Sequence, residues 1–552
     1  MKVLRKIWIA IKKILSGDKV ISYDQKVKVK ARKLVLKKAI EELTVNRQNS
    51  TLVGKYHVRN VREQLISQGD LAENTLSDSV LSRWEAFHSA ILQAKNPENL
   101  KVAYLAGPNP ENDIEVLTGF GVLPENIWAF ESDNTIYTQA LISALSSKYP
   151  FIKLMKSNVS EYFSVAPQKF DIIYLDFCGP LPSRNKDQKT LNAITQILKH
   201  HALTSPGILI TNVSLPSEIQ DKRGRDLITK LVAKYLYPKQ FIENYQNDSC
   251  VEEGPICQDL SYGEWEDKVR NNLDEYYGQY VTRLLLDMVS ILSPCDRVDS
   301  YHSLYKQMFI NSNQVQADTD KLYHFNAAGE DGDVIVDPAM YPILWTIASL
   351  SKGVNNKDNN YPQTIYHDSN FEKYAKLFLK QLTHKNDLVE LEKSISKMSY
   401  LLTDGPNQSK FYNKSLMEMN NYDWINSHYL FCDLFLFHQV RELLFRQLAL
   451  PYHVNIKNSQ RWSYKAKDTK MYMDCLVLDE CRYLYDWMPS IDMFLSSLGD
   501  IERQLSFRFA LDGVSKHRRF YTPEMYFGTA CVSEDTLGFE AHTLSKRCEI
   551  KL

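Results

Sequence analysis

The sequence predicts an α/β protein in which a parallel sheet is preceded by a basic helical arm and followed by a large, mainly α-helical region. Three observations support this fold class. Basic residues are concentrated at the N-terminus, short apolar runs alternate with amphipathic stretches after about residue 100, and this alternation stops near residue 245. A chain of 552 residues is long enough for about three domains. We expect them at residues 1–75, 76–245 and 246–552.

The N-terminal arm is far more basic than the net charge of −1 indicates. Residues 1–40 contain 13 Lys and Arg against two acids, Asp18 and Asp24, and therefore carry +11. The rest of the chain has 53 basic and 65 acidic residues and carries −12. This asymmetry favours an anionic partner for the arm.

Residues 2–15 fall on a helical wheel as an amphipathic helix, with Trp8 at the edge of a wide apolar face and a basic polar face that has no acid and is interrupted only by Ile9. That composition is typical of helices that lie on anionic lipid. The alternatives are a docked helix with solvated lysines, a partner groove and nucleic acid. We expect an anionic membrane surface or a protein partner to contact residues 1–40. A second basic helix is predicted at Lys26–Leu43.

The nine cysteines include no CxxC pair, and no zinc spacing is found among them. We therefore expect reduced thiols, no metal site and a cytoplasmic protein. No apolar run approaches the roughly 18–20 residues that cross a bilayer. Any association with a membrane is expected to be peripheral, through the arm.

The alternation between strands and helices defines the central domain. Strands that alternate with helices predict a parallel sheet covered by helices on both faces. Ligands of such sheets bind beyond the carboxyl ends of the strands. The predicted strands are Val102–Ala106, Ile127–Phe130, Ile152–Met155, Ile172–Leu175 and Ile208–Val213, and the predicted helices are Ile114–Phe120, Thr135–Lys148 and Thr190–His200.

The segment after the first strand is the first candidate site. Gly107 allows the backbone to approach a ligand closely. Asn109 is expected to cap the next helix, with Pro110 at its first position. Glu111 and Asp113 then fall in the first helical turn, where they would repel a pyrophosphate. A cofactor with a positive sulfonium meets no such repulsion, which favours S-adenosylmethionine over a nicotinamide dinucleotide.

Polar residues also follow the next three strands. Glu131 lies 24 residues after Gly107, a spacing typical of an acid that accepts hydrogen bonds from ribose hydroxyls, and Asp133 is a weaker candidate for that role. Asn158 follows the third strand and is a candidate for the adenine edge. Asp176 ends the apolar fourth strand, where its carboxylate is expected to point into the crevice.

These residues resemble those of the class I S-adenosylmethionine-dependent methyltransferases, a Rossmann-like family, over about residues 95–240. The turn Leu175-Asp176-Phe177-Cys178-Gly179-Pro180 looks most like that of the tRNA guanine dimethyltransferases, and more loosely like that of amino-directed DNA methyltransferases. The resemblance implies that Gly107 lines the methionine end of the cofactor, Glu131 binds ribose, Asn158 lies near adenine and Asp176 is the catalytic residue that faces the acceptor.

The sequence departs from the family pattern at three places. Pro108 and Asn109 stand where further glycines are expected, Phe177 and Cys178 replace the prolines of the motif, and Asn158 replaces the acid that faces adenine. We therefore hold two functional hypotheses. The first is a methyltransferase acting on a base amino group of RNA or DNA. The second is a non-catalytic or cofactor-sensing scaffold or effector in a stress- or phage-defence complex, tethered by its basic N-terminal helix.

The C-terminal half is predicted to be mainly helical, with helices that include Glu264–Leu292 and Asn370–Leu382. Two stretches mix aromatic and basic residues, Arg461–Lys467 and Lys516–Tyr521. Such stretches suit single-stranded nucleic acid, because bases stack on aromatic rings while cations hold phosphates. The alternative is an ordinary aromatic core.

Overall fold

The computed structural model describes most of residues 26–300 and several later segments. The described ranges are 26–69, 71–177, 179–184, 190–236, 262–300, 368–383, 452–485 and 547–551, with isolated positions at 343, 346, 347, 350, 487, 502 and 505. The predicted amphipathic helix at residues 2–15 and the stretch Lys516–Tyr521 lie outside the described residues.

The described helices and strands alternate through the first half of the chain. The helices are α1 (Lys26–Leu43), α2 (His57–Ser67), α3 (Asp78–Ile91), α4 (Glu111–Gly119), α5 (Asn134–Ser146), α6 (Val159–Val165), α7 (Thr190–Lys199), α8 (Lys222–Leu236), α9 (Tyr262–Asn271), α10 (Leu273–Asp287), α11 (Ser293–Ser300), α12 (Ser369–Thr383) and α13 (Arg482–Tyr485). The strands are β1 (Val102–Leu105), β2 (Ile127–Glu131), β3 (Lys153–Lys156), β4 (Phe170–Asp176), β5 (Leu203–Ser214), β6 (His453–Val454), β7 (Gln460–Ala466), β8 (Thr469–Asp479) and β9 (Cys548–Ile550).

A single mixed sheet organises these elements, in the order β3-β2-β1-β4-β5-β8-β7-β9, with β6 beside β8. Strands β1 to β5 are parallel to one another. Strand β8 is antiparallel to both β5 and β7, so β7 runs in the direction of β5. The predicted parallel α/β sheet is therefore confirmed. Its strand order is Rossmann-like and compatible with a class I methyltransferase fold.

Helices cover both faces of the sheet, as predicted. On one face, α1 and α4 share a core with residues such as Tyr104 of β1 and Ile172 of β4. On the other face, α7, α8 and α10 share a second core with residues such as Ala103 and Ile173. Alternate residues of each strand thus contribute to opposite cores, as the pleat requires.

Helix α1 belongs to this α/β unit, although the sequence pattern places it in the basic arm. It buries an apolar stripe against the sheet: Ala31, Val35, Leu36, Ala39, Ile40 and Leu43. Full burial of a Val, Leu or Ile side chain contributes about 1.5–3 kcal/mol. The apolar stripe therefore docks α1 on its own domain. Residues 1–25, the other part of the segment predicted to meet an external partner, lie outside the described residues.

The hairpin of β7 and β8 corrects the expectation for the C-terminal half. Residues 460–479 are strands of the central sheet, so the sheet draws on residues both before and after residue 245. In Arg461–Lys467, Arg461 is completely buried, and Trp462 and Tyr464 belong to the core. The first stretch proposed to stack on nucleic-acid bases is thus an interior strand, because its aromatic residues pack on the sheet.

Helix predictions in the C-terminal half are partly confirmed. Helix α12 (Ser369–Thr383) matches the prediction closely. The predicted single helix at residues 264–292 is divided at Asn272 into α9 and α10, and it ends in a π-helical turn at Met288–Leu292. Among the described helices, none combines the length and the apolar character that a membrane crossing needs.

Candidate functional site

The strand register places the predicted site residues in one row at the carboxyl edge of the sheet. Phe130 pairs with Leu105, and its carbonyl accepts a hydrogen bond from the Ala106 amide at 2.9 Å, so Glu131 lies beside Ala106. Because Tyr104 of β1 pairs with Tyr174 of β4, Ala106 also lies beside Asp176. Adjacent strands are about 4.8 Å apart. Gly107, Glu131 and Asp176 are therefore brought together, as the sequence predicts.

The side chains of this row point to the same face of the sheet. Ala129 and Tyr174 belong to the core under α1. Glu131 comes two residues after Ala129, and Asp176 comes two residues after Tyr174. Since side chains alternate along a strand, both carboxylates face the α1 side. Asn212 of β5 pairs directly with Asp176 and continues the row.

Asp176 has two side-chain partners. Asn212 donates a hydrogen bond from Nδ2 to Asp176 Oδ1 at 2.8 Å, and Lys28 Nζ lies 3.0 Å from Asp176 Oδ2. The Asn212 amide also donates to the hydroxyl of Tyr464 at 2.7 Å. The Asp176 side chain retains 12% exposure. Both carboxylate oxygens are thus engaged at the strand end, and the side chain keeps a small exposure to solvent.

Helix α1 brings a second cation to the same region. Arg32 lies one turn after Lys28, and its Nε is 2.7 Å from Asp113 Oδ1 at the start of α4. Burial raises the pKa of Asp113 to about 6, while the Arg32 guanidinium opposes that shift. The negative charge of Asp176 also raises the pKa of Asp113, which shows that the two acids interact electrostatically.

The loop after β1 exposes its backbone towards this edge. Gly107 has a φ of +58°, in the left-handed region that favours glycine. A Cβ at Gly107 would meet no atom within 4 Å, so the space beside the backbone is open. Pro110, not Asn109, occupies the N-cap of α4. The side chain of Ser143 on α5 fastens the loop by donating to Glu111 Oε1 at 2.7 Å.

Glu131 and Asp133 have different roles in the structure. Glu131 Oε1 accepts a hydrogen bond from the Asp133 amide at 2.8 Å, and burial raises the pKa of the half-buried Glu131 carboxyl. Asp133 caps α5, because its Oδ1 accepts hydrogen bonds from the amides of Thr135 and Ile136 at 2.7 and 2.9 Å. The cap role of Asp133 leaves Glu131 as the stronger candidate for ribose.

Asn158 is the N-cap of α6, a helix that periodicity did not reveal because it is only seven residues long. Its Oδ1 accepts hydrogen bonds from the amide and the hydroxyl of Ser160, at 2.9 and 2.8 Å. Asn158 comes two residues after Lys156, which pairs with Glu131. It is thus close to the row, and its role at an adenine edge stays a prediction.

Sequence reasoning missed Lys28, Arg32 and Asn212 as members of this site. The two cations are far from Asp176 and Asp113 along the chain, and no local pattern links them. Asn212 could have been found, since it is a single amide in the apolar run Ile208–Val213. A polar side chain that is completely buried, as Asn212 is, needs hydrogen-bond partners.

Comparison with known proteins adds no assignment. No protein-family model matches this chain, and no curated protein is significantly similar to it. Within the described residues, no group of three or more His, Cys, Asp or Glu side chains is arranged to hold a metal ion. The sheet order and the chemistry of the carboxyl edge are therefore the basis for assigning a function.

Proposed function

We propose that the chain binds S-adenosylmethionine at the carboxyl edge of the sheet and transfers a methyl group to an amino group held by Asp176. The observation that carries the proposal is the position of Gly107, Glu131 and Asp176 at one edge of a Rossmann-like sheet, with both carboxylates on the same face and a reversed strand next to β5. This is the arrangement that the class I resemblance implies for cofactor and acceptor.

The residues present fit this cofactor. The open, left-handed Gly107 lets backbone approach a ligand without a clash, and the half-buried Glu131 carboxylate suits ribose hydroxyls. When bound, the cofactor would supply an electrophilic methyl group on a positive sulfonium. Asp113 is paired with Arg32, so Glu111 is the acid that remains at the start of α4 to disfavour a pyrophosphate.

Asp176 would orient the acceptor and receive hydrogen bonds from its amine. Its carboxylate is preorganised by Asn212, so little rearrangement is needed when an amine binds. The contact with Lys28 shows that a nitrogen donor fits at 3.0 Å from this carboxylate. We propose an amino group of an RNA or DNA base as the acceptor, on the strength of the resemblance around Asp176.

A second candidate function is a non-catalytic or cofactor-sensing scaffold or effector in a stress- or phage-defence complex. Two observations favour it: both oxygens of Asp176 are engaged within the chain, and the loop after β1 has one glycine where the family has more. In this alternative the cofactor would regulate a complex without being consumed.

We also propose a cytoplasmic location with peripheral attachment to an anionic membrane or a protein partner. The support is the concentration of positive charge in residues 1–40 together with the amphipathic pattern of residues 2–15. Because α1 packs on its own domain, the segment before it would make the attachment. Deletion of residues 1–16 should abolish flotation with anionic liposomes, and unchanged flotation would refute the lipid attachment.

Isothermal titration calorimetry with S-adenosylmethionine tests cofactor binding. Wild-type protein should bind, and Glu131→Ala should weaken binding about tenfold or more, because a hydrogen bond to a charged group contributes about 1.5–3 kcal/mol. Glu125→Ala is the matched control, since Glu125 is exposed just before the amino end of the same strand. Equal heats for Glu131→Ala and wild type, or no binding at all, would reject the proposed site. Binding without methyl transfer to any nucleic acid would favour the sensing function.

A further inference from the structure

Lys28 occupies the position that the proposed reaction assigns to the acceptor amine. Its Nζ is 3.0 Å from Asp176 Oδ2. The Lys28 side chain is 28% exposed and therefore retains contact with solvent. An amine of the chain itself thus stands where an external amino group would have to bind.

The position of Lys28 is supported by the helix that carries it. One turn further along α1, Arg32 pairs with Asp113, and both side chains are nearly buried. The next residues of α1, including Val35 and Leu36, are completely buried against the sheet. The backbone of Lys28 is therefore held over the carboxyl edge. Delivery of a reacting group within one molecule removes most of the entropic cost of bringing the two reactants together.

We propose that Lys28 is a methylation site and that the site at Asp176 modifies it in the same chain. This inference rests on the proposed function, because the methyl group comes from S-adenosylmethionine. The ε-ammonium first loses one proton to solvent along the exposed side of Lys28. The neutral amine, held in line by Asp176, forms an N–C bond to the methyl group while the C–S bond of the sulfonium breaks, so that the sulfonium becomes a neutral thioether and Lys28 becomes a methylammonium.

The contact itself is tested without cofactor, by the rate at which a water-soluble acylating reagent modifies individual lysines. Lys33 is the matched control, because it lies on the same helix and is exposed. Lys28 should react several-fold more slowly than Lys33 in the wild type, since Asp176 holds its Nζ at 3.0 Å and its side chain is only 28% exposed. Asp176→Asn should raise the rate at Lys28 and leave Lys33 unchanged. Equal rates at both lysines in the wild type would overturn the inference.

The modification is tested with S-adenosylmethionine that carries a deuterated methyl group, followed by digestion and mass spectrometry. The full-length wild type and Lys33→Arg should gain the label at Lys28. Lys28→Arg should lose it, and Asp176→Asn should reduce it at least about tenfold, because the nitrogen loses a charged hydrogen-bond partner. The mass of the protein as purified is measured as well, since a methyl group added during expression at Lys28, and missing in Asp176→Asn, supports the inference equally.

Calorimetry separates failure of this inference from failure of the proposed function. If S-adenosylmethionine binds and Lys28 carries no methyl group before or after incubation, self-methylation is refuted while the cofactor site stands. The same holds if label appears equally on Lys28 and Lys33. If the cofactor does not bind, both proposals fail together.

Discussion

Two aspartates of the same sheet have cationic partners, and the surroundings of the two differ. Asp176 ends β4 and pairs with Lys28, with 12% and 28% of the side chains exposed. Asp474 lies within β8 and pairs with Arg547 at 2.7 Å, with 0% and 8% exposed. Arg547 also donates to the carbonyl of Gly278, and Thr282 donates to Asp474 at 2.5 Å. The first pair opens on solvent at a strand end, whereas the second joins α10, β8 and the C-terminal strand.

The comparison shows that place in the sheet, and not the type of ion pair, separates a candidate site from a structural contact. A pair inside the core loses its hydration on folding and must keep every partner. A pair at the open end of a strand can exchange its partner for a ligand. Substitutions in the two pairs should therefore differ in their effects on stability and activity.

Removing the buried carboxylate should have the largest effect on folding. Asp474→Ala leaves Arg547 buried without its carboxylate, and loss of one partner of a buried pair costs about 3–5 kcal/mol. Denaturant unfolding measures this loss. Glu41→Ala is the control, because Glu41 forms an exposed pair with Lys37 that contributes about 0.3–0.5 kcal/mol. A loss below about 1 kcal/mol for Asp474→Ala would mean that Asp474 contributes no more to the free energy of unfolding than the partly exposed Asp176 is expected to contribute.

Removing the charge of Asp176 should affect activity much more than folding. We expect Asp176→Asn to lower the rate of methyl transfer about a hundredfold or more, as for other preorganised groups that stabilise a transition state. The free energy of unfolding should change by less than about 1 kcal/mol, because the pair with Lys28 is partly exposed. Methyl-transfer rates and unfolding curves of the same samples provide both values. Loss of folding with unchanged specific activity would reverse the assignment.

Lys234 is a buried base, so its contribution to stability should depend on pH. Burial lowers the pKa of Lys234, on α8, from 10.5 to about 7. The native state therefore favours neutral Lys234, so the resulting stability is present above pH 10.5 and is lost as the pH falls towards 7. Between about pH 9 and 7, the wild type should lose up to about 1.4 kcal/mol per pH unit. Lys234→Met should flatten this slope, and an equal slope in both proteins would disprove the assignment.

The smallest effect is expected for Lys28→Met, which removes the partly exposed partner of Asp176 and keeps the side-chain length. The free energy of unfolding should change by less than about 1 kcal/mol. Thermal unfolding of this variant beside Arg547→Met shows the contrast, since the second substitution removes the partner of the buried Asp474. Comparable losses for the two variants would show that the pair at the strand end is as structural as the pair in the core.

The parallel half of the fold and the place of the site could be predicted from sequence because their signals are local. Short apolar runs mark the five parallel strands, and Gly107, Glu131 and Asp176 each follow or end such a run. Helix caps are local too, and the cap roles of Asp133 and Asn158 could have been inferred from the residues around them.

The rest of the fold depends on contacts between distant parts of the chain. Strand β8 pairs with β5, although more than 250 residues separate them in the chain. Its alternating core residues, including Met471, Met473 and Cys475, are a period-two signal, but no local feature identifies the neighbouring strand. Lys28 and Asp176 are also distant from each other in the chain, and no local feature predicts their contact.

Hydrogen–deuterium exchange with and without S-adenosylmethionine locates the bound ligand on the sheet. Slower exchange should appear at the carboxyl ends of β1, β2 and β4, around Gly107, Glu131 and Asp176, and the interior of the β7–β8 hairpin should be unchanged. Absence of any change, or protection confined to regions away from this edge, would contradict a cofactor site at the carboxyl end of the sheet.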